Sequence, residues 1–209
     1  MMYWLQITSG RGPEECCWVV SQLVKYLEKI AAQNQLRIQL LDATPGKSGG
    51  TLSSALLAVE TENGSNTFLK TWAGTVQWTG TSMYRPHHKR KNWFVSIKLL
   101  RPVEEAKWNN REIRIERMRS SGPGGQHVNK TETAIRVTHI PTGISAIAQE
   151  ERSQHLNQKL AMLRLEQLME QRREQAKQNF NKSCWNNHNN VERGNPCHVF
   201  AGRKFIFKR

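Results

Sequence analysis

An α+β chain built as two α/β-sandwich-like domains, the second a small sheet backed by a helix, is what the sequence predicts. Three observations carry the prediction. The first hundred residues read as strand, helix, strand, strand, short helix and strand. A glycine-rich stretch near residue 124 lies between two strand-like segments and is followed by a hairpin pattern and a long helical one. Apolar residues then return near the C-terminus in a strand-like segment.

In order, residues 3–8 form a short strand candidate, and Ser9-Gly10-Arg11-Gly12-Pro13 is a turn cluster that ends where a helix can begin. From 14 to 32, Cys16, Val20, Leu23, Leu27 and Ile30 recur at helical spacing and are core candidates. Leu36, Ile38 and Leu40 alternate as a strand does, and residues 44–50 read as a loop. Gly46-Lys47-Ser48 resembles the end of a phosphate loop, but Leu41 stands where the first glycine belongs, so the segment is a turn. Residues 52–60 suit a strand, 67–73 a short helix, and a further strand starts at Gly74.

Residues 112–117 alternate strictly, which points Ile113 and Ile115 at a core. Residues 134–140 and 144–149 are strands around the turn Pro141-Thr142-Gly143. Ser153 can cap a helix reaching about residue 178, with Leu156, Leu160 and Leu163 along one side and Ala161, Leu165 and Leu168 along another. Residues 179–195 are polar and asparagine-rich and read as a mobile loop. The segment 197–209 is either a basic tail or a strand; Val199, Phe205 and Phe207 favour the strand.

The chain has 31 Lys and Arg against 17 Asp and Glu in 209 residues, a net charge of +14, which favours a polyanionic partner, nucleic acid before others. Its four cysteines form no CxxC pair, the N-terminus lacks the order of an export signal, and no apolar run approaches a membrane span. A reducing cytoplasm is the expected setting. Cys184, His188, Cys197 and His198 match no common zinc spacing, so no metal is expected.

The most informative stretch runs Arg119-Ser120-Ser121-Gly122-Pro123-Gly124-Gly125-Gln126-His127-Val128-Asn129-Lys130. Three glycines keep side chains off the backbone and permit positive φ, while Pro123 limits the freedom this brings. Gln126 presents an amide and a backbone N–H on a nearly bare loop. Basic flanks and neighbouring strands favour a phosphate or nucleic-acid loop over a plain turn. The pattern is neither GxGxxG nor GK[ST], which argues against a nucleotide pocket. A second stretch, 78–93, gathers Arg85, His87, His88, Lys89, Arg90 and Lys91 between Tyr84 and Trp93, rings able to stack on bases. The plainer alternative is a solvated hairpin.

Gly124-Gly125-Gln126 within RSSGPGGQHVNKT, with THIPTG and QEERSQHLNQKLAM downstream, resembles the peptidyl-tRNA hydrolysis domain of class I peptide chain release factors. The resemblance runs from about 117 to 162 and is closest to the branch of peptide chain release factor H. More weakly, the element order before it resembles the family's decoding-type domain. It implies a decoding-type domain at 1–104 completed by 197–209 returning as a strand, a GGQ hydrolysis domain at 105–180, and a polar linker at 181–196. The helical N-terminal domain of full-length release factors has no counterpart in this expectation.

By the same resemblance, Gly124, Gly125 and Gln126 are catalytic and hydrolyse the ester of P-site peptidyl-tRNA on the ribosome without a cofactor. Gln126 is a methylation candidate, which implies a glutamine methyltransferase as partner. Candidate loop supports and RNA contacts are Arg117, Arg119, Ser120, Ser121, Gly122, Pro123, His127, Asn129, Lys130 and Arg152. Ser82, Met83 and Tyr84 occupy the place of the family's codon-reading tripeptide but match neither of its forms. They are therefore grouped with Arg85, His87, His88, Lys89, Arg90 and Lys91 as contacts to decoding-site RNA. The resemblance further implies a monomer that rescues stalled ribosomes with damaged decoding RNA, beside an RNA-repair ligase. The alternatives are a stop-codon-dependent termination factor and a non-catalytic ribosome or RNA-binding protein.

Overall fold

The computed structural model describes residues 2–61, 67–102, 109–120 and 132–209. The chain divides into two compact units, one formed by Met1–Pro102 with Asn181–Arg209, the other by Val103–Phe180. Among the described residues no helix is long and apolar enough to cross a membrane.

The first unit is a seven-stranded sheet with a helix on one face. Its elements are β1 (Met2–Thr8), α1 (Glu14–Gln33), β2 (Arg37–Pro45), β3 (Leu52–Glu60), α2 (Thr67–Trp72), β4 (Gly74–Thr79), β5 (Asn92–Leu100), β9 (His198–Ala201) and β10 (Ile206–Phe207). The strand order is β10-β9-β4-β5-β1-β3-β2, antiparallel except where β9 lies parallel to β4. Period-two alternation sends Leu5 and Ile7, Ala55, Leu57 and Val59, and Trp93, Val95 and Ile97 to one core. There they meet Val19, Val20, Leu23 and Leu27 of α1, the stripe its helical spacing predicts. β9 adds Phe200, stacked on Phe205 with ring centres 4.1 Å apart.

β2 runs to Pro45, into the stretch expected to be loop; the turn proper is closed by Gly46 N–H on the Thr51 carbonyl at 2.9 Å. Trp93, expected as a stacking ring for RNA, is fully buried and donates its indole N–H to Gly80 O at 3.2 Å. The cue was present in the sequence, since Trp93, Val95 and Ile97 share one face of a strand.

The second unit holds β6 (Ile113–Met118), β7 (Ala134–His139), β8 (Ser145–Ala148) and most of α3 (Gln154–Asn189). β7 is the central strand of an antiparallel sheet, paired to both neighbours. Its core is Ile135, Val137, Ala146 and Ala148 against Ala161 and Leu165. The α3 stripe is therefore Ala161 and Leu165, while Leu156, Leu163 and Leu168 are exposed. Ile115 lies opposite Val137 in register yet is 44% exposed on the edge strand β6, whereas Ile113 of the same strand packs against the core.

The segment 179–195 departs most from expectation. α3 continues helical through Asn189, and from Asn181 onward it belongs to the first unit. There it covers the second face of β1 with polar contacts. Gln6 donates to Cys184 O at 3.0 Å and accepts from Asn187 at 3.1 Å, Lys98 donates to Asn187 at 2.8 Å, and Thr8 Oγ1 meets His188 Nδ1 at 2.6 Å. Buried amides and hydroxyls remain stable when paired in this way. Gly10, at φ +57°, allows the approach: a Cβ there would lie 2.5 Å from Val191 Cγ2 and 2.8 Å from His188 O.

Candidate functional site

The basic loop after β4 is anchored by the first turn of α1. Ser82 is only 2% exposed; its hydroxyl donates to Glu15 Oε1 at 2.5 Å and accepts the N–H groups of Tyr84 and Arg85 at 3.1 and 2.8 Å. Arg85 closes the arrangement with two donors on the Glu15 carboxylate, at 2.9 and 2.8 Å. This bidentate geometry is the strong form of an ion pair. Burial opposes ionisation of Glu15, but the Ser82 and Arg85 hydrogen bonds outweigh it and hold the carboxyl below its ordinary range.

Ser82 is thus a structural anchor and not a surface contact for RNA, because both functions of its hydroxyl are used inside the protein. Arg85 keeps one edge exposed and lies 5.5 Å from the Trp93 ring centre. Arg90 stacks more closely on the same ring, at 4.9 Å, and donates its Nε–H to Asn92 O at 2.7 Å. His88 Nδ1 accepts the Arg90 N–H at 3.0 Å, and Lys91 donates to Thr81 Oγ1 at 3.2 Å. His87 and Lys89 are exposed without a partner among the described residues, and Met83 and Tyr84 are also exposed. These groups remain accessible to a polyanion.

Glu14, the neighbouring acid, holds the turn after β2. It accepts the Lys47 and Ser48 N–H groups at 3.2 and 2.9 Å and the Thr51 hydroxyl at 2.5 Å. Burial works against its charge, and these bonds more than offset it, so its carboxyl is also lowered.

In the second unit, β6 and β7 pair up to Met118 opposite Ala134 and so present residues 119–133 as one connection. Its base is fixed within the described residues. Ser120 Oγ lies 3.4 Å from Thr133 Oγ1, and Arg119 forms a long, exposed pair with Glu132 at 3.9 Å. Asn157, fully buried on the first turns of α3, donates to Thr133 O and to Glu151 O, both at 2.8 Å, and accepts the Glu151 N–H at 3.0 Å. Ser153 caps this helix start through Leu156 N–H at 3.4 Å.

The side chains of Arg117 and Arg152 are exposed and make no hydrogen bond or ion pair among the described residues. Ser121, Gly122, Pro123, Gly124, Gly125, Gln126, His127, Asn129 and Lys130 lie outside the described residues.

Glu15 and Asn157 were not singled out from the sequence. Glu15 is 67 positions from Ser82, and no local pattern joins them. Asn157 left a trace, because it stands four residues before Ala161 and eight before Leu165, an amide on the buried stripe of a helix.

Among the described residues no three His, Cys, Asp or Glu side chains gather as metal ligands. His188 contacts Thr8 on β1, whereas His198 bonds Thr71 O at 3.0 Å beside α2. Burial pushes the Cys16 thiol up to about 11 and also raises Cys17, Cys184 and Cys197, so none is a ready nucleophile near neutral pH.

Comparison with known proteins bears on this arrangement. Residues 102–198 match the RF-1 domain. The chain is 42% identical over 205 residues to the peptide chain release factor homolog of Escherichia coli (strain ATCC 25922), covering 98% of this chain and 99% of that protein. It is 36% identical over 184 residues to peptide chain release factor 2 of Caulobacter sp. (strain K31), covering 84% of this chain and 49% of that one. It therefore spans about half the length of that release factor. Among solved structures, RF2 of Thermus thermophilus matches with 28% identity and a TM-score of 0.49, over 99% of this chain and 59% of the other. With a relative this similar over its whole length, the chain belongs to the class I peptide chain release factor family.

Proposed function

We propose that this protein releases nascent peptide by ribosome-dependent hydrolysis of peptidyl-tRNA, using Gly124, Gly125 and Gln126. The observation that carries the proposal is the intact GGQ motif inside a chain 42% identical over nearly its full length to a release factor homolog. In this mechanism the Gln126 backbone N–H donates to the oxygen that gains charge as the ester breaks. The Gln126 side chain shapes the space so that water attacks in preference to larger nucleophiles. Glycine at 124 and 125 keeps side chains out of a narrow RNA cavity. Arg117, Arg119, Lys130 and Arg152 contact phosphates around it, and Ser120, Ser121 and Asn129 order its base.

We further propose that release does not require a stop codon and serves the rescue of stalled ribosomes, ones with damaged decoding RNA in particular. The burial of Ser82, at the place of the family's codon-reading tripeptide, supports this, since its hydroxyl is spent on Glu15. Met83, Tyr84, His87, His88, Lys89, Arg90 and Lys91 then face ribosomal RNA. Methylation of Gln126, an RNA-repair ligase as companion, and action as a cytoplasmic monomer complete the proposal on the family resemblance alone.

Gly125→Ala tests the chemistry. Labelled peptide release from purified ribosome complexes should fall by about 10²-fold, the scale for losing one placed donor, because a side chain at 125 displaces the Gln126 N–H, while sedimentation with ribosomes is retained. Undiminished release by the variant would remove the loop from the mechanism. Equal ribosome binding by both proteins with no release by either would make this a binding protein.

A further inference from the structure

Three arginines from separate parts of the chain meet in one small cleft of the first unit. Arg11 comes from the turn after β1, Arg90 from the loop before β5, and Arg193 from the segment after α3. With Gly12, Pro13 and Asn189 they line a space of about 130 Å³ beside the start of α1. That is well below the roughly 300–1,000 Å³ of small-molecule pockets and suits a single oxyanion. No carboxylate lines it, although Glu192 precedes Arg193 in sequence. Glu14 and Glu15, at the same helix end, turn to Thr51 and to Arg85.

The protein orients these cations without neutralising them. Arg11 uses its Nε–H on the neutral Asn189 side chain at 3.0 Å, and Arg90 uses its Nε–H on Asn92 O at 2.7 Å. Both therefore keep their terminal amino groups uncommitted among the described residues. Arg193 makes no hydrogen bond or ion pair there at all. The close approach of Val191 to Gly10 brings the Arg193 segment up against the β1–α1 turn. Three like charges held together repel one another, and a phosphate offers pairs of oxygens that the planar, forked donors of a guanidinium group match. The N-terminal end of the 20-residue α1 adds a favourable dipole.

We propose that Arg11, Arg90 and Arg193 form a binding site for one phosphate group of RNA. The proposal deepens the ribosomal reading by adding two residues outside the 82–91 loop, and it rests on that reading only for the identity of the polyanion. The phosphate can be an internal phosphodiester or a terminal monoester, since both present the same oxygens.

The test is fluorescence anisotropy of the full chain with short single-stranded RNAs ending in a 3′-hydroxyl or a 3′-phosphate, across a salt series, with inorganic phosphate as competitor. Arg193→Gln and Arg11→Gln are compared with Lys204→Gln, an exposed basic residue outside the cleft. Each cleft variant should bind about tenfold more weakly and lose about one unit of salt slope, with Lys204→Gln near wild type. Equal losses on both RNAs assign an internal phosphate, and a loss confined to the 3′-phosphate RNA assigns a terminal one. Cleft variants that keep native circular dichroism and bind both RNAs as Lys204→Gln does would overturn the site. If wild type releases no peptide in the ribosome assay while these losses persist, the cleft stands and the hydrolase reading falls.

Discussion

At the start of α1 two carboxylates hold their loops with charge: Glu14 takes the turn after β2 and Glu15 takes Ser82 and Arg85. At the start of α3 a neutral amide, Asn157, holds the base of the 119–133 connection through Thr133 O and both backbone groups of Glu151. The charged anchor grips strongly but answers to pH and leaves half of Arg85 in solvent. The neutral anchor is fully buried and does not titrate. The Asn157 anchor beside the strand ends that flank the GGQ motif is thus indifferent to pH, while the basic loop is seated on an ion pair.

Breaking the neutral anchor should cost most. Asn157→Ala removes three hydrogen bonds from a fully buried amide, and at about 1 kcal/mol net for each the loss should be about 3 kcal/mol, read by chemical denaturation. Glu15→Ala should cost about 2 kcal/mol, less than a fully buried broken pair because Arg85 can turn to water. It should also free the 80–91 loop, seen as faster amide exchange at Tyr84 and Arg85, whose N–H groups rest on Ser82.

Acid should separate the two anchors without mutation. The Glu14 and Glu15 carboxyls are lowered in the folded protein, so their stabilisation is full above the ordinary value of 4.5 and is lost as pH falls through their folded values. Relative to intrinsic exchange at each pH, protection at Tyr84 and Arg85 should then fall while protection of Glu151 N–H holds. An equal loss of protection at both places would erase the contrast. The smallest effect belongs to Ser153→Ala, about 0.5 kcal/mol, since its capping bond is long at 3.4 Å.

Periodic apolar patterns made much of this fold legible. The α1 stripe of Leu23 and Leu27 and the strands around Pro141-Thr142-Gly143 follow from spacing alone. What spacing does not show is burial without apolar residues. The last turns of α3 pack on β1 through Asn187, His188 and Gln6, so a polar, asparagine-rich sequence reads as loop where it is helix. At the candidate site the GGQ motif is visible from residue types, and Met83, Tyr84, His87 and Lys89 are exposed. The commitment of Ser82 to Glu15 and the gathering of Arg11 with Arg193 depend on contacts between distant segments that only the fold brings about.

The proposal that the GGQ motif acts here without codon reading stands or falls on peptide release from ribosomes carrying labelled peptidyl-tRNA with a stop codon, a sense codon, an empty A site, or an empty A site with cleaved decoding RNA. Release is expected from the empty or cleaved complexes, with none that depends on the stop codon. Release confined to the stop-codon complex would contradict it and make this a termination factor that reads codons through an unfamiliar loop.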